Sequence, residues 1–375
     1  MQMRQTTVTK APALAPSISI ATYQSIPVLG LGTATPPSYS QADLFEQFGY
    51  TGNAFAAAIV AGASIDTRNF SAPIKDLLAS ATADTLGAYH REHAPRLAAE
   101  AVLKASGSSI DPRELDAVIT ATSTGYMMPG IAEVLCETYG IGSRSALRYD
   151  LVGQGCLAAF PAMQIARALI VSQQAKKVAV VCTEVQAALY NPAQDPNDKS
   201  VIVQQLLFGE GAGAIILAAE GDGESEQGAA YPSILDSQQE LAPDSLNAVA
   251  LKQGTVWEGL LDRAVPDIAG SVLPRVVERL LKRHGLSLAQ VKHWAFHTGG
   301  RRVLEVCQGG LGLTDAQMAP SYEVLRLHGN MNSCSVLFSL DKLLAFNKPE
   351  AGDIGIMVAV GPGMTVGAFL VRWER

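Results

Sequence analysis

Cys156 stands in the run DLVGQGCLAAF, where an apolar strand ends, two glycines permit a sharp turn and a helix begins at or just after the cysteine. A thiol in such a nucleophile elbow meets the positive end of a helix dipole and free backbone N–H groups. Both lower its pKa and stabilise a thiolate or an acyl oxyanion. Pro161 makes the first helical turn irregular. Cysteine is also among the most buried residue types, so a core thiol is the plainer account, and Cys136, Cys182, Cys307 and Cys334 fit it better than Cys156 does. His297 follows the strand HWAF and precedes Thr298-Gly299-Gly300, a place suited to a general base, although on its own a hydrogen-bonded core histidine is the plainer account. Asn330, in LHGNMNSCSVLF, is an amide at the opening of an apolar helix, where an N-cap is the simple explanation. Gly361-Pro362-Gly363 reads on its own as a turn between strands.

Other polar residues point to less. His293 and His297 are four apart, but that spacing holds a metal on helices and this segment reads as strand. His90 and His93, beside Arg91 and Glu92, are expected on a solvated helix face. Residues 209–211 spell GEG without the GK[ST] ending or the strand-to-helix context of a phosphate loop.

The elements that must position these groups follow from periodicity. SIPVLGLG (25–32) reads as the first strand, after a loosely ordered arm over 1–24. HREHAPRLAAEAVLKAS has helical spacing and feeds the β-rich LDAVITATST. ALRYDLV, the helix-like LAAFPAMQIARALIVSQQ, KKVAVVCTEV and paired strands around GEGAGAIILAA continue the alternation. Continuous apolar strands interleaved with helices imply a sheet covered on both faces. The polar, acidic stretch 219–247 is taken as the lobe boundary, which divides the chain into 25–225 and 226–375. The second half repeats the plan with VLPRVVERLLKRHG, HWAFHTGG, RRVLEVCQGG, a helix after Gly329 and the pair DIGIMVAVGPGMTVGAFLVRW. Gly155-Cys156 and Gly329-Asn330 each open an apolar helix, and glycine-rich hairpins are expected at 209–217 and 361–371, so the halves read as duplicates.

Composition sets the frame. The chain has 375 residues, 28 Lys+Arg against 35 Asp+Glu for a net charge of −7, and 48% hydrophobic positions. That describes a well-cored globular protein long enough for two lobes. An acidic balance with no basic run argues against a nucleic-acid or anionic-membrane surface. No run of about 18 apolar residues spans a membrane, and the first thirty residues lack a signal-peptide h-region. A cytoplasmic protein is expected. Five cysteines, an odd number and never in a CxxC pair, fit reduced thiols.

Taken in order, GQGCLAAF, LFGEGAGA, FHTGG, HGNMNS and AVGPGMTVGAF resemble the thiolase superfamily, and specifically the chalcone-synthase-like type III polyketide synthases, from about residue 26 to the C-terminus. The resemblance implies an α/β fold of five layers, αβαβα, built from two duplicated halves, a homodimer, and a Cys156-His297-Asn330 triad. In that reading Cys156, as thiolate beside protonated His297, takes a starter acyl group and holds the growing chain. His297 and Asn330 stabilise the enolate left when malonyl-CoA loses CO₂. No metal or redox cofactor is implied; malonyl-CoA is a substrate, with an acyl-CoA or acyl-ACP as the other possible starter.

The resemblance also assigns pocket positions. Phe208 matches a gatekeeping phenylalanine between CoA tunnel and cavity, and Met128 a methionine lent to the partner subunit's cavity. Ser123, Thr124, Gln186 and Leu189 fall at cavity-lining positions. Gly259 stands where many relatives have a second gate phenylalanine, and Asn332 replaces a small serine. Arg68, in SIDTRNF, is the best local match to a CoA-phosphate contact, whereas Arg301 and Arg302 read equally as surface charges. Within the family, SYSQADL, TSTGYMMPG and GDIGIMVAVGPG resemble the bacterial branch that makes 3,5-dihydroxyphenylacetyl-CoA from malonyl-CoA alone. Products of alkylpyrone, alkylresorcinol or phloroglucinol type fit almost as well. A ketoacyl-ACP synthase III or acyltransferase, limited to one condensation or transfer, is the enzymatic rival, and FHTGG with the terminal GPG block weighs against it. An inactive scaffold of the same fold is the non-catalytic rival, and retention of all three triad residues weighs against that.

Overall fold

The computed structural model describes residues 24–190, 195–221, 230–253 and 257–375. Apart from Gln24, the N-terminal arm lies outside the described residues. The first half runs β1 (Ile26–Ala34), β2 (Ser38–Ser40), α1 (Gln41–Gln47), α2 (Ala54–Ala63), β3 (Thr67–Asn69), α3 (Ile74–Ala79), α4 (Ala83–Ser106), β4 (Ala117–Thr122), α5 (Ile131–Tyr139), β5 (Leu147–Val152), α6 (Ala159–Val171), β6 (Lys177–Glu184), α7 (Lys199–Leu207) and β7 (Gly211–Ala218). The second runs β8 (Tyr231–Leu241), β9 (Val249–Gln253), β10 (Trp257–Leu261), α8 (Val265–Arg283), β11 (Val291–Phe296), α9 (Arg301–Leu311), α10 (Asp315–His328), α11 (Ser335–Asn347), β12 (Ile354–Gly361) and β13 (Thr365–Glu374).

Nine strands form one sheet in the order β11-β12-β13-β8-β1-β7-β6-β4-β5. Within it the same plan occurs twice. β4 pairs parallel with β6, which pairs antiparallel with β7, which pairs antiparallel with β1. β11, β12, β13 and β8 repeat that sequence of pairings, and the two copies join through Ile26–Pro27 against Ser233–Ile234. Every residue of β4 and β7 is buried, as continuous apolar strands require when helices cover both faces.

Three separate apolar clusters identify the helical layers. One gathers α6 and α11 with strand residues of both halves. A second gathers α4 and α5 against the first half, and a third α8, α9 and α10 against the second. Helices, half-sheet, helices, half-sheet, helices make five layers, with α6 and α11 in the middle.

Two expectations are corrected, and the boundary stretch is found to carry a strand. Residues 209–217 form no hairpin: β7 is a single strand between β6 and β1. The polar stretch 219–247 contains β8, which pairs along its length with β13; its acidic residues Asp236 and Glu240 meet Arg283, Arg275 and Arg279 of α8. Lastly, His90 is buried, because α4 turns it under the chain at Gly125, and His93 is half-buried with its ring edge-on to Tyr89, 4.5 Å between centroids.

Candidate active site

The loop that carries Cys156 leaves the end of β5 and enters α6 through a single 3₁₀ turn, Gly155–Leu157. Gly155 takes φ +52, and a Cβ there would stand 2.5 Å from Pro362 Cδ. In return, a Cβ at Gly361 would stand 2.7 Å from Leu157 Cβ and 2.8 Å from Leu157 N. The glycine-proline-glycine turn between β12 and β13 is thus the bed on which the cysteine turn rests, and only residues without a Cβ permit that approach.

His297 follows β11, its backbone N–H donating to Val358 O at 2.8 Å. Asn330 follows the C-cap of α10. There Gly329 takes φ +66, and a Cβ would meet Leu207 O at 2.5 Å. Asn330 Oδ1 accepts the backbone N–H of Asn332 at 2.8 Å, a bond that ties the chain ahead of the 3₁₀ turn Asn332–Cys334, whose own cap position is Met331. It also fixes the amide: the oxygen is taken by the backbone and the N–H₂ end is left for a ligand.

One pocket, a cavity of about 40 Å³, is lined by Cys156, His297, Asn330, Phe208 and Gly361 among a mostly apolar wall. A second, of about 20 Å³, is lined by Gln186, Leu189, Tyr190, Gln204 and Gly259. Asn332 links the two: Cys156 Sγ–H donates to its Oδ1 at 3.5 Å, and its Nδ2 donates to Gln186 Oε1 at 2.9 Å. At Gly259 the space a side chain would need is filled by Gln204, whose Oε1 lies 1.9 Å from the Cβ position.

The electrostatics oppose a resting ion pair. Burial, and then the negative charge of Glu184, push the Cys156 thiol up to about 12, against a smaller favourable effect of its own backbone N–H and the Asn330 side chain. Burial pushes His297 down to about 4. Desolvation thus acts against the lowering of the thiol pKa that the helix terminus was expected to give.

Glu184 is the site residue that sequence reasoning missed. It is fully buried at the end of β6 and accepts from Ser123 N at 2.9 Å, Ser123 Oγ at 3.0 Å and Ser333 Oγ. It thereby ties the loop after β4 to the turn that bears Asn332. An acidic residue closing the apolar run KKVAVVCTEV was the available signal. Ser123 and Thr124 serve this network and line neither pocket; Thr124 Oγ1 accepts from Val185 N at 2.8 Å. Met128 is 82% exposed and lines neither pocket of its own chain. Pro362 and Gly363 form the turn beneath Cys156 and line neither.

Arg68 is corrected outright. It is fully buried, donates through Nη1 to Gln205 O and Phe208 O at 2.6 Å each and through Nε to Gln41 Oε1 at 2.8 Å, and lies over the rings of Phe48 and Phe70. It holds the end of α7 and cannot meet a phosphate at the surface. Arg301 and Arg302 are exposed and pair with Glu305.

Comparison with known proteins agrees with this architecture. Residues 77–221 match the N-terminal domain of chalcone and stilbene synthases, and residues 233–373 match their C-terminal domain. A 3,5-dihydroxyphenylacetyl-CoA synthase of Streptomyces toyocaensis is 30% identical over 97% of this chain and 95% of its own length. The synthase of the same name from Amycolatopsis orientalis is 29% identical over 92% of each. Among solved structures, the C-terminal type III polyketide synthase domain of Steely1, a type I/III hybrid from Dictyostelium, superposes with a TM-score of 0.81 at 24% identity, covering 93% of this chain and 99% of that one. PKS-I of the brown alga Ectocarpus siliculosus does so at 0.83 and 21%, covering 94% and 100%. No described helix is long and apolar enough to cross a membrane. With both domains matched, a relative 30% identical across nearly the whole chain and the five-layered fold in place, this chain belongs to the chalcone and stilbene synthase family and is a type III polyketide synthase.

Proposed function

We propose that the protein condenses malonyl-CoA units onto an acyl group carried by Cys156 and cyclises the chain to an aromatic product, 3,5-dihydroxyphenylacetyl-CoA from malonyl-CoA alone being the product its relatives' names favour. The observation that carries the reading is the meeting of Cys156, His297 and Asn330 in one apolar pocket. In the resting site the sulfur keeps its proton. As a thioester arrives, that proton passes to His297, the sulfur attacks the carbonyl, and the CoA thiolate leaves with the proton from the imidazolium. A malonyl thioester then loses CO₂; the C–C bonding pair becomes an enolate, whose oxygen takes N–H bonds from His297 and Asn330. The enolate carbon attacks the acyl carbonyl, the C–S bond to Cys156 breaks with its electron pair leaving on sulfur as thiolate, and the chain, two carbons longer, sits on CoA, whose thioester that thiolate attacks in the next cycle. Decarboxylation supplies the nucleophile, so the chemistry calls for no metal or redox cofactor.

A homodimer is part of this reading. Tyr126 and Met128 are 65% and 82% exposed on one loop, large apolar side chains that a partner subunit's cavity would cover. The division into halves near 225 is supported by the repeated strand order, and a cytoplasmic location by the CoA substrates the reading invokes.

Mass spectrometry after incubation with malonyl-CoA alone tests the proposal. The expected result is an aromatic or pyrone product together with acyl mass on the Cys156 peptide. A product only after addition of an acyl-CoA or acyl-ACP would make this a primed synthase. A single condensation from acyl-ACP would favour the ketoacyl synthase III reading. Absence of acyl-enzyme and product under every condition would overturn the function.

A further inference from the structure

The Cys156 thiol donates its hydrogen bond to Asn332 Oδ1, 3.5 Å away, and Asn332 Nδ2 in turn donates to Gln186 Oε1 at 2.9 Å. Both amides are buried, 7% and 5% exposed. Asn332 is also held in place: its backbone takes φ +48, and its N–H is tied to Asn330 Oδ1 at 2.8 Å. An amide oxygen only accepts, so this arrangement suits a protonated sulfur and opposes an anionic one. The same amide turned over about χ2 presents N–H to the sulfur and its oxygen to Gln186. Glutamine has the complementary donor and can meet that oxygen by the same rotation.

We propose that Asn332 and Gln186 form a reversible amide relay for the nucleophile, the two side chains turning over together as thiol becomes thiolate, so that an Asn332 N–H stabilises the sulfur anion while Asn332 Oδ1 accepts from Gln186. The proton lost by sulfur goes to His297, as in the loading step, and no other group changes its protonation. Asn332 touches the reacting sulfur and is a catalytic residue; Gln186 acts through it and is a positioning residue. The titratable groups around the thiol are His297, after β11, and Glu184, at the end of β6. Burial disfavours both charged partners, raising the thiol to about 12 and lowering His297 to about 4. A donor that appears only when the anion forms stabilises the charged state without weakening the resting one.

The relay rests on Cys156 being the nucleophile of the proposed function, and its test needs no substrate. The rate of Cys156 alkylation by iodoacetamide is followed from pH 6 to 10 by peptide mass spectrometry on the full-length protein. Asn332→Gly removes the amide and accepts the positive φ without strain; Gln186→Glu is nearly isosteric and removes the donor. Each is expected to slow alkylation near pH 7.5 by about tenfold or more and to move the profile to higher pH. The double variant should be no slower than the slower single variant, because the two residues act as one device. Asn332→Ser, whose hydroxyl can turn to accept or to donate, should stay within about threefold of wild type.

Alkylation of Asn332→Gly at or above the wild-type rate would mean that Asn332 only restrains the thiol, and would overturn the relay. So would single effects that multiply in the double variant, since the added charge of Gln186→Glu would then act independently. If the glycine variant does not fold, by circular dichroism, wild-type alkylation of Gln186→Glu is the overturning result and slowed alkylation of Gln186→Glu beside near-normal Asn332→Ser the supporting one. Failure of the functional reading would appear instead as absent polyketide with the alkylation pattern intact.

Discussion

Phe208 and Asn330 face each other across a parallel β-bridge, Asn330 N–H donating to Leu207 O at 3.0 Å and Gly209 N–H to Asn330 O at 2.9 Å. The apolar wall of the pocket and its amide donor, contributed by different halves of the chain, are therefore one backbone unit. Arg68 extends that unit by holding the Phe208 and Gln205 carbonyls from behind.

Replacing Arg68 by Lys keeps a charge but cannot reach Gln41, Gln205 and Phe208 together. The expected outcome is a loss of about 2–4 kcal/mol of stability, from carbonyls left short of partners in a buried site, with the KM for CoA substrates little changed. Thermal unfolding and steady-state kinetics check this. Unchanged stability with a raised KM would restore a role in CoA binding.

Cys156→Ala and Asn330→Ala should fail in different ways. The first removes the acyl carrier and is expected to abolish chain extension while leaving some malonyl-CoA decarboxylation, since His297 and Asn330 remain. The second removes an enolate donor, so decarboxylation should fall by about 10²-fold or more while starter loading on Cys156 falls much less. CO₂ release and intact-protein mass measure the two steps. Polyketide from the alanine variant at 156, or equal decarboxylation by the variant at 330, would sink the respective assignment.

Gly361→Ala tests the bed under the nucleophile. The added methyl would stand 2.7 Å from Leu157 Cβ, and the 3₁₀ turn that carries Cys156 must shift to admit it. A loss of about 1–3 kcal/mol of stability is expected, together with a fall in kcat of roughly tenfold, because small displacements of a nucleophile are strongly felt. Wild-type kcat in a folded variant would show that the turn does not position the thiol.

Acid stability carries the signature of buried neutral histidines. Burial lowers His90, His297 and His328 to about 4 from an ordinary 6.5. Each binds more protons unfolded than folded, so its effect is absent above about pH 6.5 and weakens the fold progressively as pH falls towards 4. Glu210, raised to about 7 by burial, and Glu184, raised as well, act in the opposite sense, favouring the fold as they become protonated. His90→Leu isolates one histidine from this balance. Its stability should fall less steeply than that of wild type between about pH 6.5 and 4.5, by about 1.4 kcal/mol per pH unit, in urea unfolding series. Parallel profiles for the two proteins would contradict a buried, neutral His90.

Several features of the fold were legible in the chain because they are local. Apolar runs without alternation marked β4 and β6 as strands covered on both faces, and strand-glycine-cysteine-helix spelling marked the elbow at Cys156. The hairpin expected at 209–217 failed, and the strand within 219–247 went unread, for a common reason: composition describes a segment, whereas pairing depends on what lies beside it. β7 finds its partners in β1 and β6, and β8 in β13, all distant in sequence.

By itself the sequence determined which groups are available for chemistry, Cys156, His297 and Asn330 among them, and the order of elements that carries them. The tertiary structure alone decided their surroundings. Burial turned Arg68 from a surface cation into a strut, drew His90 into the core, tied Glu184 to Ser123 and Ser333 and set Asn332 against the nucleophile's sulfur. The charge state of a side chain depends on the water it loses and on the dipoles it meets in return, and both are contributed by residues far away along the chain.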